Sequence, residues 1–178
     1  MTLVCKMEVY LIRHTTPDIS KEICYGQSDI ALAKSFHEEV HMILPQLPNK
    51  VDEVYTSPLS RCLQLAEMIP HKMLKEVLQL QEMNFGEWEL KRWDDIPEDE
   101  LNPWMENFVN ERVTNGESMQ MLADRVVGWY SGLQLSGKKV AIVTHAGPLR
   151  ILLSHINQTP LEEAFQRYNV KYGEVIVI

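Results

Sequence analysis

The sequence predicts an α/β protein built as three layers, a mainly parallel sheet with helices on both faces and a small inserted segment over one sheet edge. Three observations predict this. Apolar runs of strand length recur along the chain, segments with helical apolar spacing separate them, and the connections are short. At 178 residues and 45% hydrophobic, the chain can bury one good core, so one domain over residues 1–178 is expected.

The first strand is expected over residues 4–12, where the apolar-rich run Val9-Tyr10-Leu11-Ile12 leads directly into Arg13 and His14. Ala31 to Leu44 reads as a helix closed off by Pro45 and Pro48. Val51 to Thr56 reads as the second strand. Ser57-Pro58 then has the form of an N-cap followed by proline in the first helical position, with Leu59, Leu63, Ala66 and Ile69 as the apolar stripe. That places Arg61 in the first helical turn.

A third strand is expected over Lys72 to Leu78, followed by the loop Gln81 to Glu89. From about residue 87 to 115 the chain is polar, acidic and interrupted by Pro97 and Pro103, which suggests a lid carrying short helices. Ser118 can cap a further helix with Leu122, Val126, Trp129 and Leu133 on one face. Val140 to Thr144 is the next strand, Gly147 to His155 the helix after it, and Val170 to Ile178 a last strand with Gly173 marking a turn or bulge.

The formal charge of −8 argues against nucleic acid or an anionic membrane surface as partner, because the overall field repels polyanions. Cys5, Cys24 and Cys62 are odd in number and lack CxxC spacing, which fits reduced, buried thiols in a cytoplasmic protein. The first residues contain neither a signal-peptide core nor an apolar stretch approaching a membrane span. The oligomeric state is left open, a homodimer being one arrangement the sequence permits.

In open α/β sheets ligands bind at the carboxyl ends of the strands. Arg13 and His14 stand at such an end, and His145 follows the strand Val140 to Thr144 in the same way. A cation beside an imidazole suggests a phosphate site with a histidine nucleophile. Phosphoryl transfer to a side chain needs a nucleophile that is not an anion, cations for the phosphate oxygens and an acid for the departing alkoxide. Neutral His14 meets the first need and Arg13 and Arg61 the second, since a guanidinium fork binds phosphate through parallel hydrogen bonds. Glu82 is the best-placed acid, although Glu87 and Glu89 lie in the same loop.

In this order these elements resemble the histidine phosphatase superfamily, with its phosphoglycerate-mutase-like fold. Arg13-His14 resembles the family's Arg-His-Gly signature, and Ser57-Pro58-Leu59-Ser60-Arg61 its Ser-x-x-x-Arg helix start. Glu82 with Phe85-Gly86 and Trp88-Glu89 resembles its acid loop. Gly116-Glu117-Ser118 with Arg125 is similar to a further element, and Thr144-His145-Ala146-Gly147 to the second-histidine motif. The resemblance implies that His14 is phosphorylated, that Arg13, Arg61 and His145 bind the phosphate, and that Glu82 protonates the leaving group. Thr16, Tyr25, Gln27, Ser57 and Ala146 are further candidates for contact with substrate or with the catalytic groups.

Thr15 departs from the signature, standing where the family usually has glycine, and a β-branched residue resists backbone angles that glycine adopts. The run Ile23 to Asp29 resembles the α-ribazole phosphatase branch, in which threonine also follows the histidine. The implied activity is a metal-independent phosphomonoesterase without cofactor, acting on a small monoester, with α-ribazole 5′-phosphate of cobalamin assembly as the preferred substrate. A broad sugar-phosphate phosphatase, a phosphoglycerate mutase, and a non-catalytic phosphate- or phosphoprotein-binding module stay open as alternatives.

Other residues have plainer readings. His37 and His41 have a zinc-compatible spacing without an evident third ligand and read as exposed helix residues, while His71 and His155 have no constellation around them. Trp88, Trp93, Trp104 and Phe108 read first as packing of the lid, and second as rings on which a flat substrate could stack. Five acids and no base between residues 94 and 100 favour a monoester over a polyphosphate.

Overall fold

The computed structural model describes residues 8–133 and 137–178. Strands β1 (Glu8–Arg13), β2 (Val51–Thr56), β3 (His71–Glu76), β4 (Lys139–Thr144) and β5 (Val175–Val177) form one sheet in the order β3-β2-β4-β1-β5. The first four are parallel, and β5 pairs antiparallel with β1. The three-layer, mainly parallel sheet expected from sequence is therefore observed.

The central strands are apolar on both faces because both faces are covered. Val9, Leu11, Val140 and Ile142 join a core with Leu122 and Val126 of α4 (Met119–Ser131) and Leu149 and Leu152 of α5 (Ala146–Asn157). Tyr10, Ile12, Ala141 and Val143 alternate onto the other face, against Val40 and Ile43 of α1 (Phe36–Ile43) and Leu65 and Ala66 of α2 (Ser60–Met68). The chain leaving β1 thus goes to one face and the chain leaving β4 to the other. Such a divergence opens a crevice between two neighbouring strand ends.

Several boundaries differ from expectation, each for a local reason. Residues 4–7 of the expected first strand, and Cys5, lie outside the described residues, whereas Cys24 and Cys62 are buried free thiols. The first helix begins at Phe36 and not at Ala31, because Asp18 N–H bonds to Ala31 O and Ala33 N–H to Thr16 O, which commits this backbone to pairing. Helix α2 begins at Ser60 with Leu59 in the capping position, so Ser57 and Pro58 precede the helix. Ser118 does cap α4, its side chain accepting from Met121 N–H.

The last strand is confined to Val175–Val177. Residues 170–174 are used otherwise: Val170 O accepts from Arg13, and Gly173 turns the chain at φ +68° while its N–H bonds to His14 O. The acidic segment after β3 carries single 3-10 turns at Gly86–Trp88 and Trp93–Asp95 and helix α3 (Glu98–Glu106). A short helix α6 (Ala164–Arg167) follows α5. Among the described residues no helix is long and apolar enough to cross a membrane.

Candidate active site

β1 and β4 deliver His14 and His145 to adjacent strand ends, with His14 N–H bonded to Thr144 O and the two rings 5.1 Å apart. Both side chains are buried, as is Arg61 from the first turn of α2. Arg13, His14, Tyr25, Arg61, Glu82 and Tyr172 line one cavity of about 230 Å³. Lys21, Ile23, Phe85 and Trp93 complete its wall.

The state of His14 follows from its partners. Nδ1 lies 2.7 Å from the carbonyl of Thr15, which only accepts, so Nδ1 carries the proton and Nε2 the lone pair. Burial, followed by the guanidinium groups of Arg61 and Arg13, holds the imidazole well below its ordinary pKa. His14 is thus a neutral base inside a cationic pocket. Burial, Arg61 and His14 itself likewise hold His145 down. Its Nε2 is 2.8 Å from Ser57 Oγ and 3.4 Å from Cys62 Sγ.

Arg61 is held from behind. Its Nη1 donates to Ser28 O at 2.8 Å and its Nη2 to Gly26 O, while its Nε is buried without a partner. The loop supplying those carbonyls is fixed by the Glu89 carboxylate, which accepts from Gly26, Gln27 and Ser28 N–H and from Ser28 Oγ. A fifth bond comes from Phe85 N–H. Burial opposes the ionised form of Glu89, and these hydrogen bonds outweigh it to leave its pKa lowered. Asp29 adds bonds from Ser60 N–H and Oγ. The Gly26 to Asp29 run therefore anchors the start of α2 and its arginine.

Arg13 donates Nη1 to Val170 O at 2.6 Å and stacks on Tyr172, its guanidinium carbon 3.7 Å from the ring centre. The Tyr172 hydroxyl lies 2.8 Å from that of Tyr25, and its ring 5.5 Å from the His14 ring. Sequence reasoning missed Tyr172. Its position depends on the antiparallel return of the chain beside β1, which no local pattern announces.

Glu82 receives Gly147 N–H, at 3.1 Å to each oxygen, from the first turn of α5, and its Oε1 accepts from Met83 N–H. Gly147 permits the approach: a Cβ there would sit 2.1 Å from Glu82 Oε1. Arg125 pairs with both oxygens of Glu117 and donates to the carbonyls of Gln79, Gln81 and Glu82. The Gly116 to Arg125 element thereby fixes the loop that carries Glu82. Glu87, by contrast, is exposed and bonds to Asn115.

The remaining candidates divide. Tyr25 lines the cavity, Ser57 touches His145, and Gln27 donates to Glu82 O. Thr16 bonds through its backbone to Glu39 and Ala33, and Ala146 is buried in the first turn of α5; neither lines the cavity. Thr15 is buried, without the positive φ that would demand glycine, so a β-branched residue fits unstrained. His37, His41 and His155 are exposed, and His71 lies 2.6 Å from Ile69 O.

The family model of the histidine phosphatase superfamily (branch 1) matches residues 9–178. A protein of Escherichia coli O1:K1 named "Probable phosphoglycerate mutase GpmB" is 28% identical over 165 residues, spanning 86% of this chain and 76% of its own. The α-ribazole phosphatase of Shigella flexneri superposes with a TM-score of 0.79 at 24% identity, covering 96% of this chain and 89% of the other. A phosphoglycerate mutase of Thermus thermophilus superposes with a TM-score of 0.74 at 22% identity, covering 97% and 92%.

Proposed function

Because the chain belongs to the histidine phosphatase superfamily, we propose that it is a phosphomonoesterase working through a phosphohistidine on His14. The observation that carries this reading is the neutral, buried His14, its Nδ1 proton committed to Thr15 O, between two arginines. His14 Nε2 attacks phosphorus, and the bond from phosphorus to the ester oxygen breaks. Arg13, Arg61 and His145 hold the phosphate oxygens and meet their charge as it spreads in the transition state. The buried, unpartnered Nε groups of Arg13 and Arg61 are donors left for such an anion.

Glu82 serves as the proton donor to the leaving oxygen and then takes a proton from the water that cleaves the phosphorus–nitrogen bond. His14 returns neutral, with no metal or cofactor in the cycle. Residues 87–115 act as a lid over this edge, and the protein works in the cytoplasm. Their acids at 94–100 favour a monoester.

The preferred substrate is α-ribazole 5′-phosphate, supported by the Ile23 to Asp29 resemblance and by the fold shared with the Shigella flexneri α-ribazole phosphatase. A substrate panel tests this. Its kcat/KM should exceed that of an aryl phosphate at least tenfold, and an equal or lower value defeats the assignment. The relatives named as phosphoglycerate mutases favour a second reading, in which 3-phosphoglycerate is isomerised. Release of inorganic phosphate without 2-phosphoglycerate would exclude it.

A further inference from the structure

Arg13 and Arg61 carry two like charges to one cavity, and among the described residues neither pairs with a carboxylate. Each meets an aromatic ring instead. The guanidinium carbon of Arg13 lies 3.7 Å from the centre of the Tyr172 ring, and that of Arg61 lies 5.4 Å from the centre of the Tyr25 ring. Both distances are within the range over which a ring face attracts a cation. The two tyrosine hydroxyls lie 2.8 Å apart, and neither has another hydrogen-bond partner among the described residues. Arg13, Tyr172, Tyr25 and Arg61 thus form one continuous arc along the cavity wall.

The members of this arc come from the end of β1, the turn before β5, the loop after β1 and the first turn of α2. Its central bond joins residues 147 positions apart. A carboxylate in the place of either ring would cancel the charge that holds phosphate and would repel the dianion, whereas a ring face attracts a cation without net charge. Burial, followed by the bond to Tyr172, raises the Tyr25 pKa, so this phenol keeps its proton near neutral pH. An arginine side chain has wide rotamer freedom, and two must aim at one spot before a single phosphate can engage both.

We propose that Tyr25 and Tyr172 are positioning residues, a hydroxyl-bridged pair that holds the two guanidinium groups at the spacing one phosphate spans. The proposal rests on the phosphohistidine reading only in taking phosphate as the anion. Without the bridge each ring is held by its own segment alone. Arg13 keeps its Val170 acceptor and Arg61 its Ser28 and Gly26 acceptors, so both charges stay in the pocket. What is lost is their common aim.

A double-mutant cycle of Tyr25→Phe and Tyr172→Phe tests this, since both changes keep the rings and remove the bridge. The readouts are calorimetric binding of inorganic phosphate, and kcat/KM on glycerol phosphate and p-nitrophenyl phosphate. Each single variant should weaken phosphate binding about threefold, the scale of one hydrogen bond. The double variant should weaken it no further, because either change alone breaks the same bond. The value of kcat/KM should fall by one common factor on both esters, since the proton donor to the leaving group is untouched. Losses that multiply in the double variant, a loss confined to one single variant, or a loss that differs between the esters overturns the bridge. If phosphate binding follows the expected pattern while no ester turns over, the bridge stands and the phosphomonoesterase reading fails.

Discussion

Replacing Gly147 by alanine tests the role of Glu82 without substituting Glu82. The added Cβ would stand 2.1 Å from Glu82 Oε1, 3.2 Å from its Cδ and 3.0 Å from Leu122 Cδ2. Such atoms do not approach within 3.0 Å, so the carboxylate must retreat by about 1 Å. A misplacement of about 1 Å costs roughly a hundredfold in rate, equivalent to about 2.7 kcal/mol of transition-state stabilisation. The loss should appear only where the leaving group needs a proton. For glycerol phosphate, kcat/KM should fall about a hundredfold, while for p-nitrophenyl phosphate, whose phenolate departs unaided, it should fall less than about threefold. The parameter kcat/KM ends at the first irreversible step, so slower hydrolysis of phosphohistidine does not enter it. Alanine inside a helix is favoured over glycine by up to about 1 kcal/mol, and the melting temperature should hold. An equal loss on both esters, or none on either, refutes the assignment of Glu82 as proton donor.

Glu89→Ala removes the acceptor of five hydrogen bonds, four of them from the loop that holds Arg61. Each buried donor left unpaired costs about 1–3 kcal/mol, so urea denaturation should show a loss on the order of 3–5 kcal/mol. Glu87→Ala, at an exposed site in the same loop, should stay within about 0.5 kcal/mol. Tyr172→Ala takes the ring from beneath Arg13 and should weaken inhibition by inorganic phosphate about three- to tenfold. The two histidines also set an acid limit. Their pKa values are lowered in the folded protein, so below about pH 6.5 the unfolded chain binds protons that the native state does not. Stability is then full above pH 6.5 and falls beneath it, each histidine contributing up to about 1.4 kcal/mol per pH unit. His14→Asn should halve that slope in urea titrations between pH 7 and 5, and an unchanged slope would contradict a neutral His14.

What the sequence made legible was whatever local pattern encodes. Val9 to Ile12 and Val140 to Val143 are apolar on both faces, so their strands and the histidines beyond them could be located by counting. Ser118 was readable as a cap because its side-chain oxygen serves residues immediately following it. Ser57 carries the same cap signal, yet it turns to His145, a partner 88 residues away. The anchoring role of Glu89 and the stacking of Tyr172 were hidden for the same reason, since their partners come from the first loop and the first strand end. Three glutamates in one loop look alike in sequence. Packing separates them, with Glu82 on the α5 amide, Glu87 in solvent and Glu89 inside a cage of N–H groups.

The central claim is that His14 accepts the phosphoryl group, and rapid quenching with a phosphorus-labelled ester tests it most directly. Phosphate bound to the wild-type protein should be stable in alkali and released by acid, and none should appear on His14→Ala, while Gly147→Ala should still be labelled by p-nitrophenyl phosphate. Turnover of the ester with no acid-labile protein phosphate, or equal labelling of His14→Ala, would contradict the account.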